Sequence, residues 1–569
     1  MLIKYNFKLV LSLISYAQKT MKELSNFLGW AGFMPEVFIL LSLLGLLLFA
    51  VWFSTSAPLG SPVLLSTTLA HGIFLLILCL WLFSIRLDSL PGFLFLGGNM
   101  IFDDFSYKLS IILVICSTSV IFISRDFLIR EKINSFEFVI FLLISTLGGC
   151  WLLTSYDFLT AYVSIELISL PLYGLAAIKT RSLLSAEAGL KYFILGGVSS
   201  ATILFGMSWI YSATGSLSFA DCGQLFAGGF EGEDLPYGMI GGSMFLSAGL
   251  LFKLAAVPFH IWAPDVYEGS PTPVTAFFSI VPKLAVFGLS TRLFYLTFYD
   301  ISMEWQRVLL FSAIASIIIG TFGAIMQKLD LKRLFAFSAI ANVGYILLGL
   351  SAGTTEGLQS LLLYTAIYLV ITLNAFATLI ALSSRRDLST DIGISTYNWK
   401  RDNEDEKKAF FSNSTTLSIT LEDTYTSRQM IILSQNDLGN LRGIFQFRTI
   451  SKSNPILGIS VAFMFFSIAG VPPLAGFVGK MYLFFAAINS ELYLAVFVAI
   501  VMNVIGAVYY LRCIKMAYFD GEKEWLDINP PGKELSLVLG FTIFFISLLW
   551  MYPSITLVWA YNAAAGLAL

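Results

Sequence analysis

Long apolar runs follow one another along most of the chain and are separated by short polar segments. A helix that crosses a membrane needs about 20 predominantly apolar residues. By that measure the pattern predicts about fourteen transmembrane helices, over residues 34–54, 62–86, 106–124, 136–155, 157–178, 188–213, 238–258, 271–299, 306–327, 331–351, 357–383, 456–489, 491–518 and 534–562. We therefore predict an all-α, polytopic membrane protein.

Proline interrupts two of these runs in the same way. The pattern FxxAxVP occurs at 252–258 in the seventh run and again at 466–472 in the twelfth, 214 residues later. Proline breaks a helix, and a membrane tolerates the break only where the freed backbone groups meet protein or water. Because five helices separate the two copies, the second is expected to be inverted relative to the first, which is a transporter architecture. We therefore predict two inverted five-helix repeats, each with one broken helix.

The runs and the repeat divide the chain into five parts. We expect an N-terminal extension, helices 1–3, a first repeat of helices 4–8, a second repeat of helices 9–13 and a C-terminal fourteenth helix, over residues 1–30, 31–135, 136–299, 300–518 and 519–569. Residues 384–455 interrupt the second repeat with a polar, charge-mixed insertion, and a connection of that length is either functional or disordered. The lysine-bearing N-terminal extension is either a targeting segment or an interfacial one.

Composition agrees with membrane insertion and narrows the chemistry. Hydrophobic residues make up 57% of the 569 residues and charged residues only 12%, whereas soluble domains average about 25% charged residues. The formal net charge of −2 gives no reason to expect a nucleic-acid partner. Five scattered cysteines and two histidines do not provide the clustered ligands of metal centres or iron–sulfur clusters. We expect no cofactor in this chain, so any redox or nucleotide chemistry must belong to a partner.

Basic residues concentrate in the loops that follow odd-numbered helices, for example at Arg125, Arg130 and Arg333. Such loops face the cytoplasm or the mitochondrial matrix. With an even number of helices, both termini are expected on the opposite side.

Four ionisable residues lie deep in the predicted helices. Glu166 is in the middle of the fifth helix, Lys253 precedes the first break, Lys283 is in the eighth helix and Lys480 follows the second break. Ionisable groups at this depth are costly and usually mark an ion or proton pathway. A low dielectric favours the neutral form of each group, whereas a nearby opposite charge favours the charged form. We therefore predict a proton relay, with static ion pairs or snorkelling lysines as the alternative.

Other polar residues are weaker candidates. Lys191, near the start of the sixth helix, either joins the relay or snorkels to the interface and pairs with Glu187 one turn earlier. His260, in the polar turn after the first break, either feeds protons in from that surface or stabilises the turn. His71 is expected to be a satisfied core residue, and Glu36 to make an interfacial or subunit contact.

Four strings are specific enough to indicate a family. They are PFHIWAPDVYEGSPTPVTAFFSIVPK, GLKYFILGG, LKRLFAFSAIANVGYILLG and IAGVPPLAGFVGKMYLFFAA. With them the chain resembles the subunit 2 family of respiratory NADH:ubiquinone oxidoreductase (complex I), called the N subunit in bacteria. The resemblance runs from about residue 30 to the C-terminus, apart from 384–455. Mitochondrially encoded plant and algal forms are the most similar.

The resemblance implies an antiporter-like, proton-pumping subunit of the complex I membrane arm. Its expected location is the mitochondrial inner membrane, with both termini in the intermembrane space and lipids around it. FMN, iron–sulfur clusters and ubiquinone are expected in partner subunits, among which are a neighbouring antiporter-like subunit and small membrane subunits. The family's relay positions are matched by Glu166, Lys253, Lys283 and Lys480.

One position departs from the family pattern. The family's tenth helix often carries a histidine where this chain has Asn342. Asparagine can hydrogen-bond water but cannot titrate in this range. Transfer from Lys283 to Lys480 then depends on water chains, or that segment has lost throughput.

Two other functions stay open. The chain could be a subunit of an Mrp-type cation/proton antiporter, although the PDVYEGSPTPV turn favours complex I. It could also be a structural membrane-arm module that no longer conducts protons, and Asn342 is the feature that points that way.

Overall fold

Helices dominate the computed structural model, which describes residues 32–52, 63–85, 93–131, 133, 136–179, 182–227, 237–327, 330–383, 447, 450–519 and 531–568. The helices are α1 (Gly32–Trp52), α2 (Val63–Ile85), α3 (Asp104–Arg130), α4 (Glu137–Thr154), α5 (Phe158–Ala176), α6 (Leu183–Thr214), α7 (Phe219–Ala227), α8 (Tyr237–Leu254), α9 (Trp262–Gly269), α10 (Thr272–Arg292), α11 (Ser302–Met326), α12 (Leu331–Ser351), α13 (Thr355–Leu382), α14 (Pro455–Ala469), α15 (Ala475–Asn489), α16 (Tyr493–Tyr518), α17 (Lys533–Met551) and α18 (Ser554–Ala568). A short antiparallel ribbon of β1 (Phe93–Phe95) and β2 (Met100–Phe102) precedes α3. The prediction of an all-α polytopic protein is confirmed.

Ten helices of the described chain are long and apolar enough to cross a membrane, and the bent pair α17–α18 raises this to eleven if it forms one span. The predicted C-terminal helix over 534–562 is therefore two helices, which meet at 89°. Pro553 lies at their junction, where its ring and missing N–H oppose a continuous helix. The total of fourteen crossings and the inversion of the repeats stay predictions.

The centre of the bundle is formed by α10, α12 and α13. In the most apolar segment of each helix, the share of residues buried inside the chain is 94% for α10, 94% for α12 and 89% for α13. The same share is only 33% for α1 and 39% for α6. The α13 helix packs against α10, α12 and α15. Polar side chains of α10, α12 and α15 are therefore brought to a common interior.

The first predicted break lies at the end of α8. Ala255 follows the helix with a left-handed φ of +59°. Its N–H donates to the carbonyl of Phe252 at 3.1 Å, and the N–H of Ala256 donates to the carbonyl of Leu251 at 2.9 Å. This pair of hydrogen bonds around a left-handed residue is the Schellman motif, which satisfies carbonyls at a helix end.

The second predicted break lies at the end of α14 and has the same cap. Gly470 has a φ of +79°. Its N–H donates to the carbonyl of Ser467 at 3.1 Å, and the N–H of Val471 donates to that of Phe466 at 3.0 Å. The left-handed residues Ala255 and Gly470 are 215 positions apart. The repeat of 214 residues therefore locates the second cap to within one residue.

Neighbouring segments hold the two breaks in place. In the first, Ser316 of α11 accepts a hydrogen bond from the Val257 N–H at 2.9 Å, and Ser312 donates one to the Val257 carbonyl at 2.8 Å. In the second, the Ser467 hydroxyl accepts from the Gly476 N–H at 3.1 Å. Both breaks thus satisfy buried backbone groups with serine hydroxyls, as a membrane interior requires.

Most of the predicted insertion 384–455 and all of 1–30 lie outside the described residues. The end of the insertion is part of the packed bundle, because Phe447 and Ile450 are buried and the Phe447 ring contacts that of Phe465 with centroids 5.4 Å apart. A helical turn at Ile450–Ser453 then leads into α14.

Candidate proton-relay site

Glu166 lies on α5 and is half-buried rather than enclosed. The Ser169 hydroxyl, one turn later, donates to its Oε2 at 3.3 Å. Its Oε1 is buried and has no hydrogen-bond partner within the described part of the chain. Since Leu159, Val163 and Leu170 of the same helix are exposed, Glu166 lies near the outer face of this chain.

Lys253 lies in the last turn of α8, just before the first break, and is also half-buried. Its Nζ donates to the Ser200 hydroxyl of α6 at 3.3 Å. Glu166 interacts with it electrostatically, yet no ion pair within 4.0 Å joins these two described residues. The pair is therefore not locked as a static salt bridge in this structure.

Lys283 lies on α10 at the centre of the bundle, with only 5% of its surface exposed. Its Nζ is 5.8 Å from the ring centroid of Tyr267 and 5.8 Å from that of Tyr368. An ammonium group at this distance is attracted by the ring faces. No hydrogen-bond acceptor for this Nζ is found among the described residues, and the faces of the two tyrosine rings are close enough to attract it.

Lys480 lies on α15, is 4% exposed, and has two acceptors. Its Nζ donates to the carbonyl of Ile468 at 2.7 Å and to Oδ1 of Asn503 on α16 at 2.6 Å. The same Nζ is 4.9 Å from the Tyr345 ring centroid. Ile468 belongs to the last turn of α14, where carbonyls lack helical partners and attract a cation. The helix break therefore binds the lysine directly.

Asn342 lies on α12, 3% exposed, within a hydrogen-bonded cluster. The Tyr364 hydroxyl of α13 donates to its Oδ1 at 2.7 Å. Its Nδ2 is 3.5 Å from the Ser338 hydroxyl, which in turn shares a 2.6 Å hydrogen bond with Tyr510. The position at which the family often has histidine is thus filled by a network of neutral polar groups.

Lys191 is part of a separate group of charges. It forms ion pairs with Glu187 at 2.7 Å and with Asp265 at 2.8 Å, and Arg333 pairs with Asp265 and with Glu268. These side chains are about one-fifth to one-half exposed, where ion pairs are worth roughly 0–1 kcal/mol each. The network joins α6, α9 and α12, and the structure does not bring Lys191 together with the four deeper residues.

His260 lies in the turn between α8 and α9 and is half-buried. Its ring interacts with the backbone of Pro258, and its Nδ1 is buried without a hydrogen-bond partner in the described chain. His260 therefore interacts with the broken segment itself, and within the described chain it forms no hydrogen bond or ion pair with Glu166 or with the three deep lysines.

Two expectations about single polar residues are wrong. His71 is exposed and contacts the Phe49 ring, with ring centroids 5.5 Å apart, so it is not a core residue. Glu36 is 0% exposed, so its carboxyl group is not available for a subunit contact. Hydropathy gives the depth of a residue along a helix but not the face on which it lies.

The sequence interpretation missed a buried ion pair. Arg292, at the end of α10, pairs with Asp103 at 2.9 Å and also donates to the carbonyl of Leu153 at 3.3 Å. Asp103 caps α3 by accepting from the Ser106 N–H. The signal was an arginine inside the apolar run 271–299. The tyrosines around Lys283 and Lys480 gave no such signal, because aromatic residues in apolar helices are usually core residues.

Comparisons with known proteins agree on one family. The family model described as NADH:quinone oxidoreductase/Mrp antiporter, TM, matches residues 155–400 and 425–506. NADH-ubiquinone oxidoreductase chain 2 of Marchantia polymorpha is 37% identical over 91% of this chain and 95% of its own. NADH-quinone oxidoreductase subunit N of Paramagnetospirillum magneticum is 35% identical over 94% and 96%.

A solved structure has the same fold. A chain of respiratory complex I from Thermus thermophilus with bound aureothin gives a TM-score of 0.69 at 25% identity, covering 92% of this chain and 98% of that one. Glu166, Lys253 and Lys283 lie within the first range matched by the family model, and Lys480 lies within the second.

Proposed function

The chain belongs to the membrane-subunit family of NADH:quinone oxidoreductase and Mrp antiporters, and from this premise we propose that it is a proton-translocating subunit of the membrane arm of respiratory complex I. The enzyme to which it contributes is then the H⁺-translocating NADH:ubiquinone reductase. Its partners are the other membrane-arm subunits, and its location is the inner membrane, which it crosses many times.

The observation that carries this proposal is the burial of two lysines on central helices. Lys283 and Lys480 are 5% and 4% exposed and have no carboxylate within 4.0 Å in the described chain. A lysine in such surroundings exchanges its proton at far lower cost than one held in a buried ion pair, because no permanent counter-charge fixes the ammonium form. Such a site binds and releases a proton, which is what a pump element must do.

In the proposed mechanism, Glu166 and Lys253 form the first element and Lys283 and Lys480 the next two. When the Glu166 carboxylate approaches Lys253, the ammonium form of the lysine is favoured. When the carboxylate moves away, the Lys253 proton passes to an acceptor, and the lysine returns to the neutral amine. Quinone reduction elsewhere in the complex supplies the energy. The FMN, the iron–sulfur clusters and ubiquinone belong to partner subunits in this proposal.

The finer organisation is part of the same proposal. We assign residues 136–299 and 300–518 to the two inverted repeats, with Lys253 and Lys480 at their respective broken helices. Both termini are assigned to the intermembrane-space side. Lys191 and His260 are assigned supporting positions near the first break rather than places in the relay.

Replacing Lys283 by methionine tests the central step. Methionine keeps the length and removes the ionisable group, so we expect assembled complex that oxidises NADH and pumps fewer protons per NADH. The measurement is the proton-to-NADH ratio of purified complex in proteoliposomes. Lys283→Arg is the sharper variant, since arginine keeps the charge but cannot release a proton, and it should lose the same pumping. Lys108→Ala, which removes a partly exposed ion pair with Asp104, is the matched control. An unchanged ratio in both Lys283 variants would mean that Lys283 does not carry protons.

The alternative function is a subunit of an Mrp-type cation/proton antiporter, which the shared family model also describes. The two proposals differ in their partners. A complex I subunit purifies with redox subunits and pumps on addition of NADH. An antiporter subunit purifies without them and exchanges protons for Na⁺ across vesicles. A third possibility, a structural membrane-arm module, predicts assembly without any pumping loss in the Lys283 variants.

A further inference from the structure

A groove with a volume of about 500 Å³ lies between α2, α3, α13, α17 and α18, away from the relay residues. None of its twenty lining residues is charged, and four carry a hydroxyl group. Ile115, Phe541 and Ile555, which line it from three different helices, are exposed. The groove is therefore open at the outer surface of the chain, where a membrane protein meets lipid or a partner subunit.

The groove is too narrow for a helix. On α3 its lining extends from Ile112 to Phe122, a length of about 15 Å, which is about half the thickness of the hydrocarbon core of a bilayer. Dividing the volume by this length gives a mean cross-section of about 30 Å², whereas a helix with its side chains is about 10 Å across and needs about 80 Å². A transmembrane helix of a partner subunit therefore cannot enter, but an extended hydrocarbon chain can.

The hydroxyl groups of the lining already have partners. Each donates to a backbone carbonyl three or four residues earlier in the chain, from Thr118 to Val114, from Ser119 to Ile115, from Thr542 to Val538 and from Thr556 to Pro553. A hydroxyl bonded in this way to its own helix is satisfied without a ligand. A polar ligand would lose its hydrogen bonds to water on entering and replace few of them, so the lining favours an apolar occupant.

Basic side chains lie beyond one end of the groove. Arg125 of α3 and Lys533 of α17 are each about one turn past the last lining residue of their helix at that end. Arg125 already pairs with a carboxylate, but Lys533 is exposed and forms no ion pair within the described chain. At the other end α3 carries Lys108, whose ammonium pairs with Asp104 at 3.4 Å. The uncompensated positive charge is therefore at the Lys533 end, and basic groups beside transmembrane helices attract lipid phosphates.

We propose that this groove is a binding site for one acyl chain of a membrane phospholipid, whose headgroup phosphate lies beside Lys533. The chain extends from the Lys533 end toward Ile112 of α3 and Trp559 of α18, and it is held by apolar contacts with five helices. The inference needs only that the protein spans a membrane, so it does not depend on the proposed function.

Photolabelling of the intact complex tests the site. The complex is reconstituted into phosphatidylcholine vesicles in which a small fraction of the lipid carries a diazirine at the tip of one acyl chain. It is then extracted into lipid-free detergent, which removes loosely bound lipid, irradiated and digested for mass spectrometry. We expect the label near Ile112 and Trp559, because the tip of the chain lies at the end of the groove that is far from Lys533.

Ser119→Trp fills the groove from α3 and should remove this label. Excluding even two methylene groups of the chain lowers its affinity by about 10-fold or more, so we expect a loss of at least that size. Ser547→Trp is the matched control. Ser547 is also half-buried, and its hydroxyl donates to the carbonyl of Phe544 in its own helix at 2.9 Å, but it does not line the groove. The label should be retained in that variant.

Lys533→Gln tests the position of the headgroup without changing the groove. Loss of one basic group at the membrane surface should lower the label by about 5-fold. Lys108→Gln is its matched control at the opposite end and should leave the label unchanged. The exposed position of Lys533 means that this variant also decides the matter if Ser119→Trp does not assemble.

Three results would overturn the inference. Equal labelling of the groove in Ser119→Trp and Ser547→Trp would show that the chain does not lie there. A loss of label in Lys108→Gln but not in Lys533→Gln would place the headgroup at the wrong end. A high-resolution structure of the intact complex in which a side chain of a partner subunit or a quinone tail fills the groove would replace the phospholipid as its occupant.

Discussion

Ser316→Ala measures how much α11 contributes to the first helix break. The Ser316 hydroxyl accepts the Val257 N–H at 2.9 Å, and the Ser312 hydroxyl donates to the Val257 carbonyl at 2.8 Å. All three residues are buried, so water cannot easily replace a lost hydroxyl. A buried backbone group left unsatisfied costs about 1–3 kcal/mol. The substitution should therefore destabilise the hydrogen-bonded conformation of the break by about 1–3 kcal/mol.

A cost of about 1–3 kcal/mol corresponds to a roughly 5- to 150-fold increase in the local opening equilibrium. Hydrogen exchange of the Val257 amide in the purified complex, followed by mass spectrometry, measures this equilibrium directly. We expect exchange to accelerate within that range in Ser316→Ala. Ser312→Ala should accelerate it less, because that variant leaves the amide's own hydrogen bond intact.

Ser290→Ala is the matched control for this experiment. Ser290 is equally buried, but its hydroxyl donates to the carbonyl of Val286 in its own helix at 2.7 Å. That carbonyl keeps its helical N–H partner, so exchange of the Val257 amide should not change. Equal exchange rates in Ser316→Ala and Ser290→Ala would refute the argument, since the cap around Ala255 would then protect the break without α11.

Three further variants test the second break and the ion pair. Gly470→Ala should destabilise the break by about 1–2 kcal/mol, because an L-residue is strained at a positive φ. Its Cβ would also lie 3.2 Å from Cδ of Lys480, so we expect a lower proton-to-NADH ratio as well. Asn503→Leu removes one of the two acceptors of Lys480 and should also reduce that ratio, since a hydrogen bond to a charged group is worth about 1.5–3 kcal/mol. Arg292→Leu leaves the buried Asp103 carboxylate unpaired, which costs about 3–5 kcal/mol and should shorten the half-life of activity on heating. Adding Asp103→Asn should restore most of that half-life, because asparagine still caps the helix.

The features that could be predicted from the sequence are those with a local signal. The apolar runs, the proline-containing breaks and the four deep ionisable residues can each be recognised from the residues next to them in the chain. Finding them does not require knowing which helices pack together. The repeat even located the second cap to within one residue. Glu166 and Lys253 nevertheless lie nearer the outer face of the chain than their depth along the helix suggested.

The rest depends on which helix faces which. In the sequence, Ser312 and Ser316 are two serines in an apolar helix. Their hydrogen bonds to Val257 exist only because α11 packs against the first break. The contact between Tyr368 and Lys283 likewise depends on the packing of α13 beside α10. His71 and Glu36 were assigned to the wrong surroundings for the same reason. The pattern of apolar and polar residues along the chain does not specify how each helix is rotated about its own axis.

The two breaks share a backbone cap but hold their lysines differently. Lys253 lies in the capped turn itself, two residues before the left-handed Ala255, and its partner is a hydroxyl on α6. Two residues before the left-handed Gly470 of the second break is Ile468. Its carbonyl binds Lys480, which follows Gly470 by ten residues. If the first break opened, the lysine itself would move relative to the Ser200 hydroxyl. If the second opened, the Ile468 carbonyl would move away from a lysine that belongs to the next helix. In the proposed relay, one repeated backbone cap would thus couple helix movement to proton release in two different ways.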